Sequence, residues 1–247
     1  MHGTGGAALS GFQLSLPQLI LVVALTCLVV TMSAPVKATV IRRLLLIMCG
    51  AVLWASPFEQ HALTNYADHM VDHLAVLFLI APLVARDIRV RFAPVASVGA
   101  FMLLTVVLPL YHLTSLGGWV MRYSQSHDVE LFSFLVAGVL FWLPVYGPRS
   151  QLTFVQRVTY VALASPIALT TGLVLWSASS TSIDTMRMPN MRITVVDIQQ
   201  GGRVMLMLGG AAMAIHLALA AISLWRGRTV APVGSLIDLQ HTKGAES

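Results

Sequence analysis

Residues 65–83 read N-Y-A-D-H-M-V-D-H-L-A-V-L-F-L-I-A-P-L. From Leu74 onward the run is apolar, as the body of a membrane helix is. Its opening carries His69, Asp72 and His73. On a helix, positions i, i+3 and i+4 share a face, so both imidazoles and the carboxylate project together. Ionisable groups in a membrane helix are costly and are functional candidates by default. Two histidines four apart can ligate one metal ion, with Asp72 as a third ligand or as an acceptor that fixes a tautomer. The zinc-protease motif is excluded, because Met70 stands where that motif needs Glu. A purely interfacial polar cluster is the plain alternative.

The rest of the chain supports the membrane reading. Of 247 residues 57% are hydrophobic and 10% charged, against about 25% charged in soluble domains. Cys27 and Cys49 both sit in apolar runs, which excludes a disulfide framework or a zinc ribbon. A membrane helix needs about 20 apolar residues. Seven segments qualify, at about 15–34, 39–57, 68–85, 93–112, 128–147, 153–177 and 203–226. The first lacks the basic flank of a cleaved signal peptide. The expected fold is an all-α integral membrane protein. It is a seven-transmembrane helix bundle forming one domain over residues 1–226, followed by a short polar tail at 227–247.

Lys and Arg orient it. With the N-terminus outside, the inner segments hold eleven of the fifteen basic residues, among them Lys37, Arg42, Arg43, Arg86, Arg89, Arg91 and Arg149. The outer segments hold Arg122, Arg187, Arg192 and Arg203. The positive-inside rule therefore places the C-terminus in the cytoplasm. It also accounts for the net charge of +5 without nucleic acid as a partner; the surrounding partner is membrane lipid.

This orientation gathers chemistry on the outer face. His127-Asp128-Val129-Glu130 opens the fifth span, with His127 and Glu130 on one helix face. If spans three and five are neighbours, His127 completes a site with His69 and His73. Asp128 reads as a macrodipole partner. Met186, Met188 and Met191 lie in an outer loop; thioethers are soft ligands suited to Cu(I), or else apolar filler. Asp197 either faces the site or caps the last helix. Glu59 and His61 read as loop residues and His112 as a solvated or capping residue at a helix end. His216, deep in the last span, reads as an interhelical hydrogen-bonding group.

Four of these pieces, in this order, resemble the multispanning CtaG-type cytochrome c oxidase assembly proteins of bacteria. They are His69-Met70-Val71-Asp72-His73 with Ala81-Pro82-Leu83, then His127-Asp128-Val129-Glu130. Phe141-Trp142-Leu143-Pro144 to Gly147-Pro148 follows, and then Asp197, Gln199, Gly201, Gly202 and Met205. The similarity runs from about residue 50 to 225. Leu131 stands where that family has a second histidine, and Ile198 replaces a glutamine. The resemblance implies a multi-pass protein of the bacterial cytoplasmic membrane. Its role would be maturation of a haem-copper oxidase, with oxidase subunits as partners.

The expected activity is metal capture rather than catalysis. The metal ligands are drawn from His69, Asp72, His73, His127, Glu130 and Asp197. Copper, as Cu(I), would be received by Met186, Met188 and Met191 and passed on by ligand exchange. The rivals are an intramembrane zinc hydrolase, in which a metal-bound water attacks an amide or ester, a bis-histidine haem protein, and a scaffold that binds no metal.

Overall fold

The computed structural model describes residues 16–33, 39–53, 65–114, 126–179 and 194–228. Seven helices occupy them. They are α1 (Leu16–Ser33), α2 (Thr39–Leu53), α3 (Tyr66–Asp87), α4 (Pro94–Leu113), α5 (Ser126–Tyr146), α6 (Phe154–Trp176) and α7 (195–228). Among the described residues there is no strand, and a single bridge joins Phe92 to Ser150. Five helices, α3 to α7, are long and apolar enough to cross a membrane. In α1 the apolar stretch described is Pro17–Leu28, and α2 has 15 residues. Met186, Met188, Met191, Glu59 and His61 lie outside the described residues, as does the tail from 229 on.

The expected spans coincide with helices, and one start differs. The last helix begins at Val195 rather than near 203. Its first turns, V-V-D-I-Q-Q-G-G-R-V, are too polar for hydropathy to register. The signal is instead a capping box: Thr194 accepts from the Asp197 amide, and Asp197 accepts from the Thr194 amide in return.

Helix α3 is the axis. In its 18-residue apolar window 94% of the residues are buried, against 17% in that of α4. Asn65 starts it, its Oδ1 accepting from the amides of Ala67 (2.9 Å) and Asp68 (3.3 Å). Midway, Val76–Ile80 form a π turn, and the Ala81 amide donates to Val76 O. Pro82 follows and has no amide hydrogen. Together these leave the carbonyls of Leu77 and Phe78 without partners inside the helix. Trp142 of α5 donates its Nε1–H to Leu77 O at 2.6 Å. His216 of α7 donates its Nε2–H to Phe78 O at 2.8 Å. Its Nδ1 then accepts from the Tyr146 hydroxyl at 2.7 Å. The interhelical bond expected of His216 is present, and the Phe-Trp segment of α5 secures the widened turn of α3 as well as ending a helix.

Glycines bring α7 in close. A Cβ built at Gly202 would collide with the Trp176 nitrogen, and one at Gly201 with the Tyr66 ring. No side chain fits at either place, so α7 meets the backbone of α6 and the ring of α3 directly. One cluster of buried apolar side chains runs from Leu21 of α1 through α3, α4, α5 and α6 to Leu219 of α7.

The bundle has two distinct ends. The Phe92–Ser150 bridge joins the α3–α4 and α5–α6 connections, which carry Arg89, Arg91 and Arg149. At the same end Arg43 of α2 lies 3.8 Å from Asp87 of α3. The start of α3, the end of α4 and the start of α5 meet at the opposite end.

Candidate metal centre

At that opposite end six histidine and carboxylate side chains face one another. Helix α3 supplies His69, Asp72 and His73 from its first turns, on the shared face that their spacing dictates. Helix α5 supplies His127 from its first turn and Glu130 from the next, and α4 supplies His112 from its last. All six are between 0 and 5% exposed. The expected meeting of the third and fifth spans is therefore realised.

Glu130 faces both histidines of α3. Its Oε2 is 3.5 Å from His69 Nε2, and its Oε1 is 3.6 Å from His73 Nε2. His127 Nε2 is 3.8 Å from Asp72 Oδ2. The imidazoles of His69 and His127 lie 5.1 Å apart, and those of His69 and His73 4.3 Å apart. Phe134, fully buried, packs at 4.5 Å on the His73 ring and at 5.6 Å on His112. Tyr66 stacks on His69 at 6.1 Å. Aromatic rings thus wall the polar groups.

Buried polar atoms are nearly always hydrogen-bonded. Among the described residues, His69 Nδ1 and Nε2, His73 Nε2, His127 Nε2 and Glu130 Oε2 are not. The separations of 3.5 and 3.6 Å are too long for hydrogen bonds. Each, one from either Glu130 oxygen, is near the donor–donor spacing around one ion, about 3.4 Å for metal–ligand bonds of about 2.1 Å. His69, His73 and Glu130 each offer a ligand atom, all within 4.8 Å of one another. Two imidazole nitrogens and a carboxylate suit copper or zinc.

The other expected site residues fall as follows. His127 and Asp72 form the adjoining pair. Asp197 lies in the capping box of α7, its Oδ2 accepting from the Thr194 amide at 2.9 Å and hydroxyl at 2.8 Å. Of its two expected roles it fills the capping one. Met186, Met188 and Met191 are outside the described residues. Leu131 is buried in the apolar core.

His112 was legible only as a capping residue at a helix end, yet it belongs to the cluster. Its Nε2 is 3.0 Å from His73 Nδ1, and its Nδ1 is 2.7 Å from Leu108 O. The available signal was its expected place on the same face as the other histidines.

The family model described as cytochrome c oxidase caa3 assembly factor (Caa3_CtaG) matches residues 38–227. No curated protein and no solved structure matches. With most of its length matched, the chain belongs to the caa3 assembly factor family.

Proposed function

We propose that this member of the caa3 assembly factor family holds a copper ion between His69, His73 and Glu130 and delivers it to a subunit of a haem-copper oxidase. The observation that carries this reading is the Glu130 carboxylate. It stands between two imidazole nitrogens, one oxygen 3.5 Å from His69 and the other 3.6 Å from His73, all three residues buried. Leaving such groups uncompensated is expensive; a bound cation offsets that cost. The family description supplies the recipient, an oxidase.

The membrane arrangement is part of the proposal. Seven spans, with the N-terminus outside, put the basic connections in the cytoplasm and the histidine cluster in the outer leaflet of a bacterial cytoplasmic membrane. The separation of the arginine-bearing end from the histidine end supports this. So does the positive-inside rule. Met186, Met188 and Met191 would then sit outside, where thioethers capture Cu(I). His127 and Asp72, beside the three donors, offer a neighbouring foothold for ligand exchange. The chain's own part is to present unprotonated imidazoles, to exclude water with Phe134 and Tyr66, and to hold the carboxylate in reach.

The donor set favours one second reading. Two imidazoles and a carboxylate with a fourth position open are also a catalytic zinc set. In that case the chain hydrolyses an amide or ester within the membrane.

The test is oxidase assembly in cells lacking this chain. Restoration by the wild type but not by His69→Ala/His73→Ala, with a copper-deficient oxidase accumulating, is the expected result. Full assembly by the double variant leaves a scaffold that grips oxidase subunits and removes the metal from the account. Hydrolysis of lipid amides by the purified wild type, abolished by His73→Ala, moves it to the zinc reading.

A further inference from the structure

With both rings neutral, the hydrogen bonds of His112 and His73 have a single consistent assignment. The Leu108 carbonyl only accepts, so His112 Nδ1, 2.7 Å away, carries a hydrogen and donates it. In the neutral ring Nε2 is then a bare acceptor. It faces His73 Nδ1 at 3.0 Å. His73 Nδ1 must therefore carry a hydrogen and donate it to His112. That leaves His73 Nε2 without a hydrogen, its lone pair directed into the space in front of Glu130, 3.6 Å from Oε1.

The opposite assignment fails. With a charged His112 donating to His73 Nδ1, the hydrogen of His73 moves to Nε2. There it needs an acceptor, and Nε2 has no hydrogen-bond partner among the described residues. The groups facing this pair are Glu130 of α5, the ring of Phe134, and His69 and His127 on the far side of His73. None of them is within hydrogen-bonding distance of His73 Nε2.

We infer that His112 is a positioning residue: through His73 Nδ1 it fixes the tautomer and ring orientation that leave His73 Nε2 open to a cation. A relay runs from the Leu108 carbonyl through His112 and His73 to the site, so the backbone of α4 sets the state of a ligand on α3. The same logic governs metal-bound histidines generally, whose second nitrogen is held by an outer partner. The inference rests on the metal reading for its purpose, but not for its geometry.

The experiment uses full-length protein in lipid, labelled with ¹⁵N at histidine rings and kept free of metal. His73 is assigned by difference against His73→Ala. The expected spectrum shows His73 hydrogen-bearing at Nδ1. In His112→Phe, which keeps the ring's bulk but has no acceptor, that hydrogen redistributes toward Nε2. In His112→Gln, whose amide oxygen accepts, the wild-type tautomer returns. Added Zn(II) or Cu(I), measured by chelator competition, should bind about 10–100-fold more weakly to the Phe variant and near-normally to the Gln variant. A hydrogen on His73 Nε2 in the wild type overturns the inference, as does an unchanged tautomer in the Phe variant. Should the Phe variant fail to fold, the wild-type spectrum decides alone. The expected tautomer with no metal bound by the wild type leaves the positioning role standing and defeats the metal reading instead.

Discussion

Glu130 of α5 reaches between the two histidines of α3, 3.5 Å from His69 and 3.6 Å from His73. It is buried, and its Oε2 lacks a hydrogen-bond partner among the described residues. Such a group costs stability unless a cation is present. Two effects of opposite sign follow for Glu130→Gln. Thermal stability without metal should hold steady or rise by about 1 kcal/mol, as the buried charge is removed. Metal affinity should fall by at least about tenfold, as a charged ligand becomes neutral. Melting curves with and without Zn(II) read both. A variant less stable without metal, with unchanged affinity, would show Glu130 to be structural.

Metal and proton compete for the same Nε2 lone pairs, so affinity falls with acidity. Both imidazoles must be neutral to ligate, and free imidazole titrates near pH 6.5. Copper binding is expected at pH 7.5 and should weaken with acid by up to about two log units of affinity per pH unit once both rings titrate. Competition titrations from that pH downward check it. A profile still flat at a pH where both rings of the unloaded protein are protonated contradicts ligation by His69 and His73.

The widened turn of α3 depends on two donors from other helices. Trp142→Phe removes the donor to Leu77 O, and His216→Phe the donor to Phe78 O. Each leaves a buried carbonyl unsatisfied, at a cost of about 1–3 kcal/mol. Stability in detergent measures it. No loss in either variant would show that the carbonyls find other partners.

Gly202 and Gly99 should respond in opposite directions to alanine. At Gly202 the new methyl collides with the α6 backbone at Trp176 N. A loss of about 1–3 kcal/mol is expected from such overpacking, with α7 displaced. At Gly99 of α4 nothing lies within 4 Å, and alanine should gain about 0.5–1 kcal/mol through helix propensity. Melting of the two variants side by side makes the comparison; equal behaviour would contradict the close approach of α6 and α7.

Much of this was legible in the sequence, for physical reasons that differ by element. Helices α3 to α6 show in hydropathy because lipid demands about 20 apolar residues. The common face of His69, Asp72 and His73 follows from helical periodicity. The pairing of Glu130 with that face does not, since nothing local tells which spans touch. The start of α7 was hidden because Asp197, Gln199, Gln200 and Arg203 lower its hydropathy, although Thr194 and Asp197 carry the cap that announces it. His112 was misread because a histidine that bonds to Leu108 O at a helix end has the same local sequence whether its other nitrogen faces water or His73.

The most direct measurement is the metal content of the purified protein. The full chain in detergent would be loaded with Cu(I) or Zn(II), freed of excess, and its bound ions counted by mass spectrometry beside His69→Ala/His73→Ala. The account predicts close to one copper per chain, lost in the double variant. No metal in either protein, or the same amount in both, would contradict it.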